Sequence, residues 1–226
     1  VPRAASPPTV LPPDPGSPRS LSDHAYFRIR DLIVSLELAP GAIVNERELM
    51  ERLGVGRTPV REALRTLAQE KLVEVYPRRG IFVAPVDVRD LASLSEVRAV
   101  LESHAAALAA VRATPEERDE TGALIAELDR AAGEHNERRL IDLDQRVHRH
   151  VYRCAHNPFL EKTLEEYYVL ALRIWFLALD RVVRLDEAVQ EHRELMEAIR
   201  AADPDRSEQV MRRHVLGFEQ AIRRAL

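Results

Sequence analysis

Four side chains suited to holding a cation stand in the second half of the chain. Asp144 and His148 are four apart, so on a helix they share one face, about a turn from each other, and can share an ion. Their neighbours Leu140, Ile141, Leu143, Val147 and Val151 turn that face at least partly inward. His192 lies among Ala188, Val189, Leu195, Met196 and Ile199, and His214 among Val210, Met211, Val215 and Phe218. Polar groups aimed at a helical interior need partners, because an unpaired buried one costs roughly 1–3 kcal/mol. One carboxylate and three imidazoles from three helices can satisfy one another through a divalent metal. Spacing alone leaves a plainer reading open, in which the histidines are hydrogen-bonded or at the surface and Asp144 and His148 form an ion pair. His150 faces away from His148, while His24, His104, His135 and His156 belong to no such group.

A second set of chemistry-bearing residues is cationic: Arg47, Arg57, Arg61, Arg78 and Arg79. The elements that must position them are legible. Tyr26, Phe27, Ile29, Leu32, Ile33 and Leu36 form an apolar helical stripe that stops at Pro40-Gly41. Asn45 followed by Glu48 has the pattern of a capping box opening a short helix that ends at Gly54. The turn Gly54–Arg57 leads to Thr58 as the expected N-cap and Pro59 as the first helical residue, and Val60, Ala63, Leu64 and Leu67 then repeat at helical spacing. Two short helices joined by a glycine-containing turn make a helix-turn-helix. Beyond Leu72 the period changes to alternation, with Val73 and Val75 against Ile81 and Val83 around Tyr76-Pro77-Arg78-Arg79-Gly80, a hairpin wing with a basic tip.

The second helix of such a unit enters the major groove of DNA with its first residues toward base edges. Arg57 and Arg61 project from that end, and arginine is the side chain for a bidentate contact to guanine, worth about 1–3 kcal/mol of discrimination. Thr58 can donate to phosphate at the positively polarised helix start. Arg47, Arg78 and Arg79 suit backbone or minor-groove contacts. The alternative for each arginine is a solvated pair with Glu46, Glu48 or Glu62.

The net charge of −4 does not exclude this. Residues 20–85 hold ten Lys and Arg against nine acids, whereas residues 86–226 hold 21 against 27. A DNA surface is then a local arginine cluster, and the acidic remainder favours one docking orientation. Residues 1–19 contain seven of the fourteen prolines and read as a disordered tail. From Asp87 onward six helices are expected, at about 87–112, 115–135, 137–154, 158–183, 186–202 and 204–225, punctuated by Thr114-Pro115, Asn157-Pro158 and Asp203-Pro204. The fold class is therefore mainly α: a winged helix-turn-helix at 20–85 and an antiparallel all-α bundle of about six helices at 86–226. No apolar run approaches the roughly 18 residues of a membrane span. The start lacks a secretory pattern, and one cysteine, Cys154, is compatible with a reducing cytoplasm, so a cytoplasmic protein with no membrane partner is expected.

The run Glu46-Arg47-Glu48-Leu49, Leu53-Gly54-Val55, Arg57-Thr58-Pro59-Val60-Arg61-Glu62-Ala63-Leu64 and Arg79-Gly80-Ile81-Phe82-Val83 resembles the GntR family of bacterial repressors. That resemblance implies operator contacts by Arg47, Arg57, Thr58, Arg61 and Gly80. The chain departs from the family at Glu74-Val75-Tyr76, where a glycine is common early in the wing. Glu96-Val97-Arg98, Leu101-Glu102, Asp144 with His148, Asn157-Pro158, Glu191-His192 and His214 resemble the FCD ligand domain of FadR-type members. This second resemblance implies a divalent ion held by Asp144, His148, His192 and His214, with acyl-CoA disfavoured as effector. Three imidazoles suit zinc first, with nickel also suited and manganese permitted by the carboxylate. It also implies a homodimer on double-stranded operator DNA and a small organic acid as effector. Arg98 is then a pocket residue, its alternative being an intrahelical pair with Glu102, and Arg173 and Tyr167 are further candidates for the lining. The rival reading is a metalloenzyme with an appended DNA-binding module, since an open metal site can activate water.

Overall fold

The computed structural model describes residues 20–87, 89–132, 136–178 and 185–225. The expected tail at 1–19 and His135 lie outside them. The chain divides into two compact units, one running to Asp87 and including Leu172–Leu177, the other made of the remainder.

In the first unit, α1 (Leu21–Val34), α2 (Glu46–Leu53) and α3 (Arg57–Gln69) precede the strands β1 (Val73–Tyr76) and β2 (Gly80–Val83). Ile29, Leu32 and Ile33 of α1, Leu49 of α2 and Val60, Ala63, Leu64 and Leu67 of α3 are buried together as the core. Asn45 Oδ1 accepts from the backbone N–H groups of Arg47 and Glu48, and Gly54 ends α2 in the left-handed region at φ +65°. Helix α3 begins earlier than expected. Its N-cap is Gly56, which makes no side-chain capping bond, so Thr58 and Pro59 are the second and third helical residues. The cause is local. Gly56 already holds the extended geometry that launches a helix, and the first-turn N–H groups have no intrahelical partner, so proline is tolerated there too.

Strands β1 and β2 pair antiparallel, Val73 opposite Val83 and Tyr76 opposite Gly80. Gly80 sits at φ +109°, a conformation side chains disfavour, which lets β2 leave the tip. A third extended segment, unforeseen in the sequence, bridges Ile43 to Phe82, with Val44 N–H donating to Ile81 O and Val83 N–H to Ala42 O. Its signal is short and follows Pro40-Gly41 directly, so alternation has no room to show.

The second unit contains α4 (Asp90–Arg112), α5 (Pro115–Ala131), α6 (Glu137–Cys154), α8 (Leu185–Arg200), α9 (Pro204–Ala225) and all of α7 (Pro158–Ala178) except Leu172–Leu177. Helix α4 starts three residues later than expected. The punctuation forms as read. Thr114 and Glu117 close a reciprocal capping box at 2.8 and 3.2 Å, Asn157 Oδ1 accepts from Leu160 N–H, and Asp203 Oδ1 from Arg206 N–H. Helix α4 packs along α9 and against α6, and α8 packs on α5 and α9. That arrangement turns α4, α6, α8 and α9 toward a common interior.

Candidate metal centre and nucleic-acid interface

Asp144 and His148 on α6, His192 on α8 and His214 on α9 are buried, and one ligand atom from each lies within 4.8 Å of all the others. The Nε2 atoms of His148 and His214 are 3.3 Å apart, and those of His192 and His214 3.1 Å. Asp144 Oδ1 is 3.4 Å from His192 Nε2 and 3.8 Å from His148 Nε2. Ligands bound at about 2.0–2.2 Å to one ion stand roughly 3.0–3.5 Å from each other, so the donor set fits a divalent metal closely.

Proton bookkeeping supports the same conclusion. Glu102 Oε2 lies 2.7 Å from His148 Nδ1, and Glu191 Oε2 2.9 Å from His214 Nδ1. Burial works to raise the Glu102 pKa, but the Arg98 guanidinium and His148 overcome it and bring the carboxyl down to about 2. An ionised carboxylate only accepts, so His148 Nδ1 carries the hydrogen, and in the neutral ring Nε2 presents its lone pair. The Glu191 contact orients His214 in the same sense. Burial and the two neighbouring imidazoles push the His192 pKa well down, which keeps that ring neutral. The Nε2 lone pairs of His148 and His214 then face each other at 3.3 Å, an arrangement that a cation between them would relieve. Tyr168 completes the arrangement, its hydroxyl donating to Asp144 Oδ2 at 2.5 Å.

Tyr168 was not anticipated from the sequence, and Glu102 and Glu191 were named there without their contacts to His148 and His214. Tyr168 had a usable signal, four residues after buried Leu164 and four before buried Leu172, whereas Tyr167 is only half-buried. Arg98 Nε donates to Glu102 Oε1 at 2.6 Å with both side chains buried, and its guanidinium lies 5.7 Å from the centre of the Tyr168 ring. Here the intrahelical alternative is the one that forms. Arg173 belongs to the first unit, where Nη2 donates to Ala84 O at 2.8 Å. Between α6 and α7, Arg149 and Glu165 make a bidentate pair at 2.8 and 2.9 Å.

The arginines of the helix-turn-helix and wing that could meet DNA are at the surface. Arg57, Thr58, Arg61 and Arg65 are exposed on α3, Arg78 and Arg79 at the wing tip, and Arg47 on α2. Arg61 Nε donates to Glu46 Oε2 at 2.9 Å, and Arg47 Nε to Glu51 Oε1 at 2.9 Å. Arg57 and Arg78 have no ion pair among the described residues. Arg79 lies over the Tyr76 ring, 5.7 Å from its centre. The pairs of Arg47 and Arg61 are solvent-exposed, a class of contact worth about 0–1 kcal/mol, so phosphate can displace them.

Comparison with known proteins agrees with this architecture. Residues 21–83 match the family described as bacterial regulatory proteins, gntR family, and residues 93–217 match the FCD domain. The chain is 33% identical over 195 residues to an uncharacterized HTH-type transcriptional regulator in an unstable DNA locus of Streptomyces ambofaciens, covering 84% of this chain and 80% of that one. It is 31% identical over 211 residues to a probable D-xylose utilization operon transcriptional repressor of Paenarthrobacter nicotinovorans, covering 91% and 92%. The solved structure of E. coli McbR/YncC is similar with a TM-score of 0.75 at 25% identity, over 89% of this chain and 98% of that one. The Streptomyces and Paenarthrobacter relatives are named as transcriptional regulators, not enzymes, which sets aside the metalloenzyme reading. A DNA-reading winged helix-turn-helix followed by an FCD domain, matched over most of its length, makes this chain a transcriptional regulator of the GntR family.

Proposed function

We propose that the protein is a repressor that binds a palindromic operator as a homodimer and responds to a small organic acid taken up at a divalent metal. The observation that carries the reading is the convergence of Asp144, His148, His192 and His214 on one buried point inside the FCD-matching region. Zinc suits the three imidazoles best, with nickel and manganese as the other fits. The bound ion supplies a Lewis-acidic position for a carboxylate oxygen. The chain's own residues do the rest: Glu102 and Glu191 orient the imidazoles, Tyr168 orients Asp144, and Arg98 balances Glu102. Because Arg98 meets Glu102 through Nε, its outer nitrogens stay suited to a second carboxylate of the effector. Arg173 is engaged by Ala84 and Tyr167 makes no described contact with the four ligands, so both rank below Arg98 as lining residues.

On the DNA side, Arg57 and Arg61 read base edges, Thr58 and Arg47 meet phosphate, and Arg78, Arg79 and Gly80 place the wing on the adjacent groove. Two such units on a two-fold axis call for half-sites a helical turn or a multiple apart. The effector must bind the DNA-competent and DNA-incompetent arrangements unequally, or it shifts nothing. The domain limits that follow are 20–85 for DNA and 86–226 for effector and dimerisation.

The test is a mobility-shift titration of operator DNA. Arg57→Ala and Arg61→Ala should each abolish specific binding and leave the oligomeric state unchanged. Operator affinity equal to that of the wild type would refute the assignment.

A further inference from the structure

One face of α4 is unlike the rest of the surface. Val97, Val100 and Val111 are 42%, 55% and 65% exposed, unusual for valine, and exposed His104 lies between them. Half-buried Leu101, Ala107 and Leu108 fill the same face. The positions 97, 100, 104, 107 and 111 step by three and four residues alternately, the seam spacing of paired helices. From Val97 to Val111 the stripe runs about 21 Å along the helix. The chain as a whole is 31% charged. Yet the charged residues of this stretch, Arg98 and Glu102, are both buried on the opposite side, toward the metal centre. Charges return at the stripe's two ends, as exposed Glu96 and exposed Arg112.

We propose that this stripe is a self-association surface whose occupant is α4 of a second copy, laid antiparallel across a two-fold axis near His104. Such a contact is isologous, so whenever one residue meets a second on the partner, the second must meet the first, and only a residue on the axis meets itself. The sequence satisfies that condition. With His104 facing the partner's His104, Val97 faces the partner's Val111 and Val100 the partner's Leu108. Leu101 faces the partner's Ala107, a small side chain that makes room for the larger one. Glu96 then faces the partner's Arg112 at both ends. Seam spacing goes with a crossing angle of about 20°, shallow enough for the terminal charges to stay within reach. Glu96 makes no ion pair among the described residues. Arg112 spends one N–H on Ala155 O at 2.9 Å, which leaves the rest of its guanidinium for the carboxylate. A parallel alignment would instead put Glu96 on Glu96 and Arg112 on Arg112.

This inference rests on the dimer reading, and the test separates the two. Light scattering on the full chain at micromolar concentration should give twice the chain mass for the wild type. Val100→Asp and Val111→Asp should each weaken dimerisation at least 100-fold while circular dichroism stays native. Glu96→Arg and Arg112→Glu should each weaken it, and the double exchange should restore it. His104→Cys should cross-link to itself under mild oxidation. A wild-type monomer would overturn both readings. A Val100→Asp dimer of unchanged affinity, or a double exchange no better than its single variants, would overturn this surface and leave the dimer intact.

Discussion

At the scale of single residues, the FCD centre depends as much on its carboxylate partners as on its ligands. Glu102 stands between Arg98 and His148, touching both and fully buried. Exchanging such a partner of a metal-bound imidazole typically lowers metal affinity by 10–100-fold. Glu102→Gln should therefore bind the ion that much more weakly in a chelator competition, with the fold kept. Glu102→Ala should do more, because it strands the Arg98 charge in the interior, a loss of about 3–5 kcal/mol in thermal or denaturant unfolding. On the DNA side, Glu46 holds Arg61 at 2.9 Å and places a negative charge where phosphate arrives. Glu46→Gln should raise affinity for non-specific DNA several-fold, narrowing the ratio of operator to non-specific binding in a titration at fixed salt. An unchanged ratio would mean that Glu46 neither restrains Arg61 nor repels the backbone.

At the scale of elements, α5 and α6 meet around a buried polar group beside the single cysteine. Thr121 Oγ1 lies 2.7 Å from His150 Nε2, and Cys154 Sγ 3.5 Å from the same nitrogen. Burial, with Glu117 adding to it, pushes the Cys154 thiol up to about 12. Since the folded pKa exceeds the unfolded one, this group favours the folded state fully below about pH 9 and ceases to do so as pH rises toward 12. Cys154 should accordingly resist thiol reagents at pH 8, reacting at the rate of unfolding rather than of a free thiol. Prompt labelling of native protein would show α6 to be loose at its end. The elements themselves were legible because punctuation and periodicity agreed: the capping box at Thr114 and the prolines at 158 and 204 open helices where expected. Two things were less legible. The start of α3 moved because two glycines made a turn that needs no side-chain cap. The segment bridging Ile43 to Phe82 is held by backbone bonds to a distant strand, which no local pattern announces.

At the scale of the whole molecule, the four candidate ligands come from three helices and span positions 144 to 214, so only the assembled bundle brings them together. Sequence could supply the four converging side chains, because a carboxylate and histidines on apolar faces signal buried polar groups in need of partners. It could not supply the roles of Glu102, Glu191 and Tyr168, which follow from which rotamers meet across helices. Nor could it decide that Arg98 turns back to Glu102. A metal bound only by the folded chain stabilises it in proportion to its affinity, so stripping it with a chelator should lower the melting temperature reversibly. If the bundle holds a divalent ion through Asp144, His148, His192 and His214, elemental analysis of the purified protein will find it. The wild type should carry about one divalent ion per chain, and Asp144→Ala and His192→Ala almost none. Equal, substoichiometric metal in all three proteins would contradict that assignment.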